Sequence, residues 1–265
     1  MLDRKQMVAE IANEVVSRLL THLDGPAPSS APANVARAGR APAPKKPART
    51  GDGVFGTVDE AVAAAAQAQV RVAEMGLEER GRMIGVIRRI CDEQADRLGR
   101  MELDETRIGR LEHKIGKLKA MRYVLGVEAM QSGARSDRTG LCVIERAPWG
   151  VIGMVLPATH SVPTMVSNAV NILAAGNTAV FNPHPAGARV AAYALQLFNR
   201  TIEAEIGVSN VITMVAEPNI ESAEQIFRHP DVALLCVTGG PAVVSEALKT
   251  DKRAITAGPG NPPVV

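Results

Sequence analysis

The chain has 265 residues, 46% of them hydrophobic and 22% charged, enough for one large domain with appendages; the proportions exclude a chain disordered throughout, a collagen-like repeat and a coiled coil. The net charge of +2 is unevenly spread, with residues 1–23 neutral, residues 24–50 at +4 and the remaining 215 at −2, so the body is not a basic nucleic-acid binder. Aromatics at 3% leave little for stacking on single-stranded nucleic acid, and no apolar run approaches the roughly 18–20 residues of a membrane span.

In chain order, residues 1–23 come first, as a short amphipathic helix. Val8, Ile11, Val15 and Leu19 recur at helical spacing, with Met7 and Leu20 widening the stripe. The stripe suits either a helix docked on its own domain or a detachable helix that docks on another protein; its balanced charge disfavours a membrane surface. The segment lacks the apolar core and cleavage site of a signal peptide. Residues 24–50, with six prolines and eight alanines, read as a semi-extended, disordered linker. The folded body, residues 51–265, opens with Thr57 and Glu60 at capping-box spacing before the alanine-rich run Ala61–Ala68. Helical patterns continue through Met83, Ile84, Ile87 and Ile90, and again through Leu111–Met130. From Leu141 onward short β-rich runs (Cys142–Glu145, Val151–Leu156, Thr178–Phe181, Val211–Val215 and Ala233–Val237) alternate with helical stretches near 162–175, 186–206, 220–228 and 241–249. That alternation predicts an α/β fold, a Rossmann-like parallel sheet with helices on both faces.

Ligands of open α/β sheets bind beyond the C-terminal ends of the strands, and three strand ends carry unusual punctuation: Leu156-Pro157-Ala158-Thr159-His160-Ser161, Phe181-Asn182-Pro183-His184-Pro185 and Val237-Thr238-Gly239-Gly240-Pro241. In the third, two glycines allow close backbone approach ahead of a helix N-terminus, which is what a phosphate needs. Taken alone, Thr-Gly-Gly-Pro is also a common way to start a helix, and His160 and His184 each suit an ordinary hydrogen-bonded loop position. No Walker A loop, Gly-x-Gly-x-x-Gly fingerprint or His-Glu-x-x-His motif occurs, so a dinucleotide site would be a non-standard one and no metal site is expected.

The segments Ala147-Pro148-Trp149-Gly150-Val151-Ile152-Gly153, Asn171-Ile172-Leu173-Ala174-Ala175-Gly176-Asn177-Thr178, Asn182-Pro183-His184-Pro185, Thr238-Gly239-Gly240-Pro241 and Gly258-Pro259-Gly260-Asn261-Pro262-Pro263 together resemble the aldehyde dehydrogenase superfamily. Within it they are most similar to the CoA-acylating, propionaldehyde dehydrogenase type of bacterial microcompartments. Glu112-His113-Lys114-Ile115 suits the same subfamily. The resemblance implies NAD as cofactor, coenzyme A as co-substrate and a short-chain aldehyde as substrate. A cysteine thiolate attacks the aldehyde, hydride passes to NAD, and CoA releases the acyl group from the resulting thioester. It assigns Thr238, Gly239 and Gly240 to the pyrophosphate, Asn182 and His184 to the neighbourhood of the adenosine ribose, and Pro157 to the cofactor site. Thr159 and His160 fall at the oxyanion loop, with His160 in the place of the superfamily's asparagine. Ala257 stands where hydrolytic members carry a water-activating glutamate.

The resemblance further implies a homo-oligomer, a cytoplasmic location inside a microcompartment, and a shell protein as the partner of residues 1–23. It places the nucleophilic cysteine beyond Val265, so the chain is expected to be the N-terminal half of such an enzyme. That leaves two functions open: the family's reaction realised with the other half, or a non-catalytic nucleotide-binding or shell-docking fragment. The three cysteines, Cys91, Cys142 and Cys236, are widely spaced in apolar runs, consistent with a reducing compartment and with structural rather than catalytic thiols.

Overall fold

Thr57 and Glu60 form the capping box that their spacing predicts. The Glu60 amide donates to Thr57 Oγ1 at 3.3 Å and the Thr57 amide to Glu60 Oε2 at 3.1 Å, satisfying two otherwise orphaned groups at a helix start. The computed structural model describes residues 50–258 and 260. The helix expected over 1–23, the linker of residues 24–49, and Pro259 and Asn261–Pro263 of the final turn lie outside the described residues.

The elements run β1 (Val54–Phe55), α1 (Val58–Glu74), α2 (Leu77–Glu93), α3 (Ala95–Thr106), α4 (Leu111–Ala120), β2 (Gly133–Asp137), β3 (Gly140–Ile144), β4 (Val151–Leu156), α5 (Ser161–Ala174), β5 (Thr178–Pro183), α6 (Ala188–Ile206), β6 (Ile212–Val215), α7 (Ile220–Arg228), β7 (Val232–Thr238), α8 (Pro241–Leu248) and β8 (Ala254–Ala257). Six strands form one sheet in the order β1-β6-β5-β4-β7-β8, every pairing parallel. The Rossmann-like α/β fold read from the sequence is therefore the observed one.

Alternation along the strands builds a core on each face. Ile152, Met154, Leu156, Phe181, Ile212 and Met214 meet α2, α5 and α6, with α3 and α4 packed outside them. Val151, Val155, Val180, Leu235 and Val237 meet α1, α7 and α8. Buried polar groups on the second face are paired: Thr178 Oγ1 donates to the Ala65 carbonyl at 3.0 Å and Thr213 Oγ1 to the Ala61 carbonyl at 2.9 Å. At Gly153 in β4, a Cβ would lie 2.7 Å from Ile226 Cγ2 and 3.0 Å from Val232 Cγ1, so the missing side chain is what lets α7 lie close to the sheet.

Two expectations need correction. The helical pattern over Leu111–Met130 is helix only to Ala120, followed by single 3₁₀ turns at Met121–Tyr123 and Val127–Ala129. Arg88 claims the Val124 carbonyl at 2.5 Å and the Glu128 carboxylate at 2.9 Å, and these tertiary bonds replace those of a continuing helix. The run Cys142–Glu145 does not join the parallel sheet. Its residues Cys142–Ile144 lie in β3, which pairs antiparallel with β2 as a separate two-stranded ribbon. The tight turn at its tip is held by the Asp137 carboxylate accepting from the Thr139 amide at 2.7 Å.

Candidate functional site

β4 has β5 on one side and β7 on the other. The chain runs outward through β5 and β6, then returns to place β7 against the opposite edge of β4. The strand order reverses there, and the C-terminal ends of β4 and β7 flank the crevice in which such sheets bind ligands. Two of the three punctuated strand ends, Pro157–His160 and Thr238–Gly240, are those flanks. The third, at the end of β5, is tied to the first by the His184 amide donating to the Leu156 carbonyl at 3.0 Å.

Helices α5, α6, α7 and α8 start along this edge, and each N-terminus attracts an anion. At α5 the His160 side chain does not cap. Glu102, from α3, takes that role and accepts from the Val162 amide at 3.3 Å. At α6 the capping carboxylate is Glu105, one turn further along α3, which accepts from the Arg189 and Val190 amides at 3.0 and 2.8 Å. At α7 the Asn219 side chain accepts from the Ser222 amide at 2.8 Å. Only α8, among these four described helices, starts with no side-chain cap, and its first turn holds no acidic residue. Two of these helix N-termini are thus filled by carboxylates and a third is closed by an asparagine, while the uncapped one follows Thr238-Gly239-Gly240.

Within that turn the residues differ. The Gly239 amide donates to the Ala257 carbonyl of β8 at 3.2 Å, and a Cβ on Gly239 would lie 2.7 Å from Val243 Cγ1. Gly239 therefore holds the turn to the sheet. Nothing lies within 4 Å of where a Gly240 Cβ would stand, so Gly240 is the open face of the loop. Asn182, matched by resemblance to the ribose neighbourhood, is buried, with both ends of its carboxamide engaged. Its Nδ2 donates to the Asn219 carbonyl at 3.0 Å and its Oδ1 accepts from Ser222 Oγ at 2.6 Å. It braces the start of α7 from beneath. His184 is exposed, and its Nδ1 accepts from the Ala186 amide at 3.1 Å, capping the turn that leads into α6; desolvation lowers its imidazole pKa.

Thr159 and His160 are adjacent at the β4 end, with Thr159 Oγ1 2.7 Å from His160 Nδ1. Burial, then the positive charges of Lys117 and Lys114, hold the His160 imidazole below its ordinary range, so it is neutral near pH 7. The sequence reading missed the groups behind this loop. Lys114 Nζ donates to the Thr159 carbonyl at 2.6 Å and lies 3.6 Å from Glu102 Oε2, the two side chains being 3% and 0% exposed. Burial pushes the Glu102 carboxyl up and the Lys114 ammonium down, opposed in each case by their mutual attraction. A signal existed: Glu102 falls on the buried stripe Ala95, Leu98, Gly99, Thr106 of α3, and Lys114 shares the buried face of α4 with Leu118.

The three thiols lie elsewhere. Cys91 is fully buried in α2, its pKa pushed up to about 12 by burial and then by Asp92. Cys236 is half-buried inside β7 and also raised by burial, and Cys142 is exposed on the ribbon.

Comparison with known proteins identifies the family and the fold. A sequence model of the aldehyde dehydrogenase family matches residues 46–263. The chain is 42% identical over 215 residues to the acetylating acetaldehyde dehydrogenase EutE of Salmonella typhimurium, covering 80% of this chain and 46% of that one. Its fold superposes with a TM-score of 0.78 and 38% identity on a propionaldehyde dehydrogenase from the fucose utilisation bacterial microcompartment of Clostridium phytofermentans, covering 80% of this chain and 49% of that one. It superposes equally, at 0.78 and 39% identity, on the propionaldehyde dehydrogenase of Rhodopseudomonas palustris with bound propionyl-CoA, covering 80% and 48%. The chain thus spans about half the length of the relatives it matches.

Proposed function

The chain belongs to the aldehyde dehydrogenase family, and on that premise we propose that it forms the nucleotide-binding portion of a CoA-acylating aldehyde dehydrogenase, an oxidoreductase that converts a short-chain aldehyde to its acyl-CoA with NAD as acceptor. The observation that carries the proposal is the division of helix N-termini at the switch point, where Glu102 and Glu105 fill two and the Gly240 side of α8 is left for a pyrophosphate. When bound, NAD supplies the hydride acceptor and CoA the thiol that removes the acyl group. The protein's part is to hold both nucleotides and to meet the substrate oxygen. Neutral His160, beside Thr159, is the donor positioned for that oxygen. Ala257 sits at the same edge, paired in register with Thr238; its methyl group cannot activate water, which favours thiolysis over hydrolysis of a thioester.

The environments of Cys91, Cys142 and Cys236 favour a second reading for the chain by itself. Nucleophilic thiols sit in electropositive, partly exposed sites with lowered pKa, whereas Cys91 and Cys236 are raised by burial and Cys142 lies on the separate two-stranded ribbon rather than in the parallel sheet. We assign the thiolate to residues outside these 265, and the chain alone to nucleotide binding without acyl chemistry. The microcompartment named for the Clostridium relative is the location proposed here as well, with residues 1–23 docking on a shell protein.

NAD and CoA each carry an adenosine and a pyrophosphate, so a single crevice at α8 serves both in turn. Titration calorimetry of the purified chain, NAD first and then CoA, is expected to show weak binding of each and loss of the CoA heat when NAD is saturating. Simultaneous independent binding would reject the shared crevice. Binding of neither would reject the nucleotide reading in favour of a docking module.

A further inference from the structure

His160 occupies the N-cap position of α5, where a side chain ordinarily turns back to bond the first-turn amides. It does not do so. Glu102 reaches across from α3 and bonds the Val162 amide instead, which releases the imidazole from capping. The peptide on the other side of His160 is fixed as well, because Lys114 Nζ donates to the Thr159 carbonyl at 2.6 Å. The two anchors are themselves an ion pair, 3.6 Å apart and shielded from solvent. A buried ion pair adds little net stability, since desolvation offsets most of its attraction. Its yield here is geometric: the backbone is held on both sides of one histidine.

We propose that Lys114 is a positioning residue for His160, acting with Glu102 to fix the imidazole in the tautomer that accepts at Nδ1 from the Thr159 hydroxyl and carries its proton on Nε2. The choice of tautomer follows from electrostatics. Nδ1 lies on the Thr159 side of the ring, 2.7 Å from Oγ1, and the Lys114 ammonium is tied to that same residue. A neutral imidazole turns its lone-pair nitrogen toward a cation and its N–H away. The charged groups acting on this ring are Lys114 and Lys117 of α4, both disfavouring the imidazolium, with Glu102 of α3 held against Lys114. The inference rests on the aldehyde reading only for what Nε2–H meets, namely a substrate carbonyl oxygen that gains negative charge. The orientation itself is a property of the protein.

The test reads the ring nitrogens directly. The 265-residue chain, labelled with ¹⁵N-histidine, is observed by long-range ¹H–¹⁵N correlation across pH, with no aldehyde or nucleotide present. The wild-type protein is expected to show His160 as the Nε2–H tautomer, with a midpoint below the ordinary 6.5 of histidine. In the double variant Lys114→Met/Glu102→Gln both buried charges are removed while a Gln oxygen still accepts from Val162. His160 is then expected to become a tautomer mixture with its midpoint moved up, while His184 stays unchanged. Lys114→Gln, which removes the charge but keeps a donor within reach of the Thr159 carbonyl, is expected to lose the tautomer preference by itself, and it decides the matter if the double variant does not fold. An Nδ1–H ring in the wild type, or an unaltered His160 in the folded variants, overturns the proposal. Because no ligand enters the experiment, its failure is separable from failure of the nucleotide and aldehyde readings, which calorimetry tests.

Discussion

Gly240 has φ −69° and ψ 166°, the extended N-cap geometry that any residue adopts, and open space where its Cβ would stand. The turn does not need glycine there for conformation. On the proposed nucleotide reading, glycine leaves the α8 amides uncapped for a phosphate, whereas an acceptor side chain there would cap them and compete. Gly240→Asp should accordingly separate stability from binding. Aspartate is a good N-cap but better than glycine by only a few tenths of a kcal/mol, so the folded state should be unchanged or slightly more stable. Its carboxylate would repel a pyrophosphate and take the amides that hold it, so NAD and CoA affinities should both fall at least about tenfold, or 1.4 kcal/mol. Calorimetry and thermal melts on the same sample check this; unchanged affinity would show that α8 does not hold the phosphates. Of this site, the strand-end motifs were legible in the sequence because Gly, Pro and His are local punctuation. The Glu102–Lys114 pair and the capping by Glu105 were not, because a charge on a helix stripe reads as solvated until tertiary packing shows what it faces. Asn182 shows the same limit: its strand-end position was legible, but not that its carboxamide is engaged by Asn219 and Ser222.

The β2–β3 ribbon is the element least accounted for by its own fold. All ten of its residues are exposed, with Leu141 at 69%, Val143 at 57% and Ile144 at 51%, and an isolated two-stranded hairpin is at best marginal in water. We propose that a second copy of the chain covers it, in keeping with the homo-oligomer expected from the sequence. Val143→Asp should leave the stability of the subunit within about 0.5 kcal/mol, as surface changes do. It should weaken self-association by tenfold or more, since burying one valine is worth about 1.5–3 kcal/mol. Sedimentation velocity over a concentration series measures both species, and an unchanged distribution would place the interface elsewhere. The long helices were readable because their periodicity persists over many residues, and the central strands because they are short apolar runs bounded by turn residues. β1, with two residues, and β8, with four, are too short to carry a pattern. β3 is a short apolar run like the central strands, and nothing local distinguishes an antiparallel ribbon partner from a parallel neighbour.

At the scale of the whole molecule, both described cores are built from residues at and beyond Val54, with β1 closing the sheet against β6 and the Gly51 amide turned back on the Val54 carbonyl at 2.8 Å. The charge divides at the same place, since removing residues 1–50 takes the formal net charge from +2 to −2. The expectation is that the leading segment is a separable tether. Deleting residues 1–50 should move the thermal midpoint by no more than about 2 °C, because a domain of some 200 residues shifts roughly 2–4 °C per kcal/mol and the deletion removes none of the side chains that form these cores. Nucleotide affinity should be unchanged, as α8 and the crevice lie wholly within the body. If instead the stripe of Val8, Ile11, Val15 and Leu19 docks on its own domain, the loss of its buried area at about 25 cal/mol per Å² would lower the midpoint by several degrees. Scanning calorimetry of the two forms therefore decides between the two readings of the first 23 residues, and only a small shift leaves that stripe available to a separate partner.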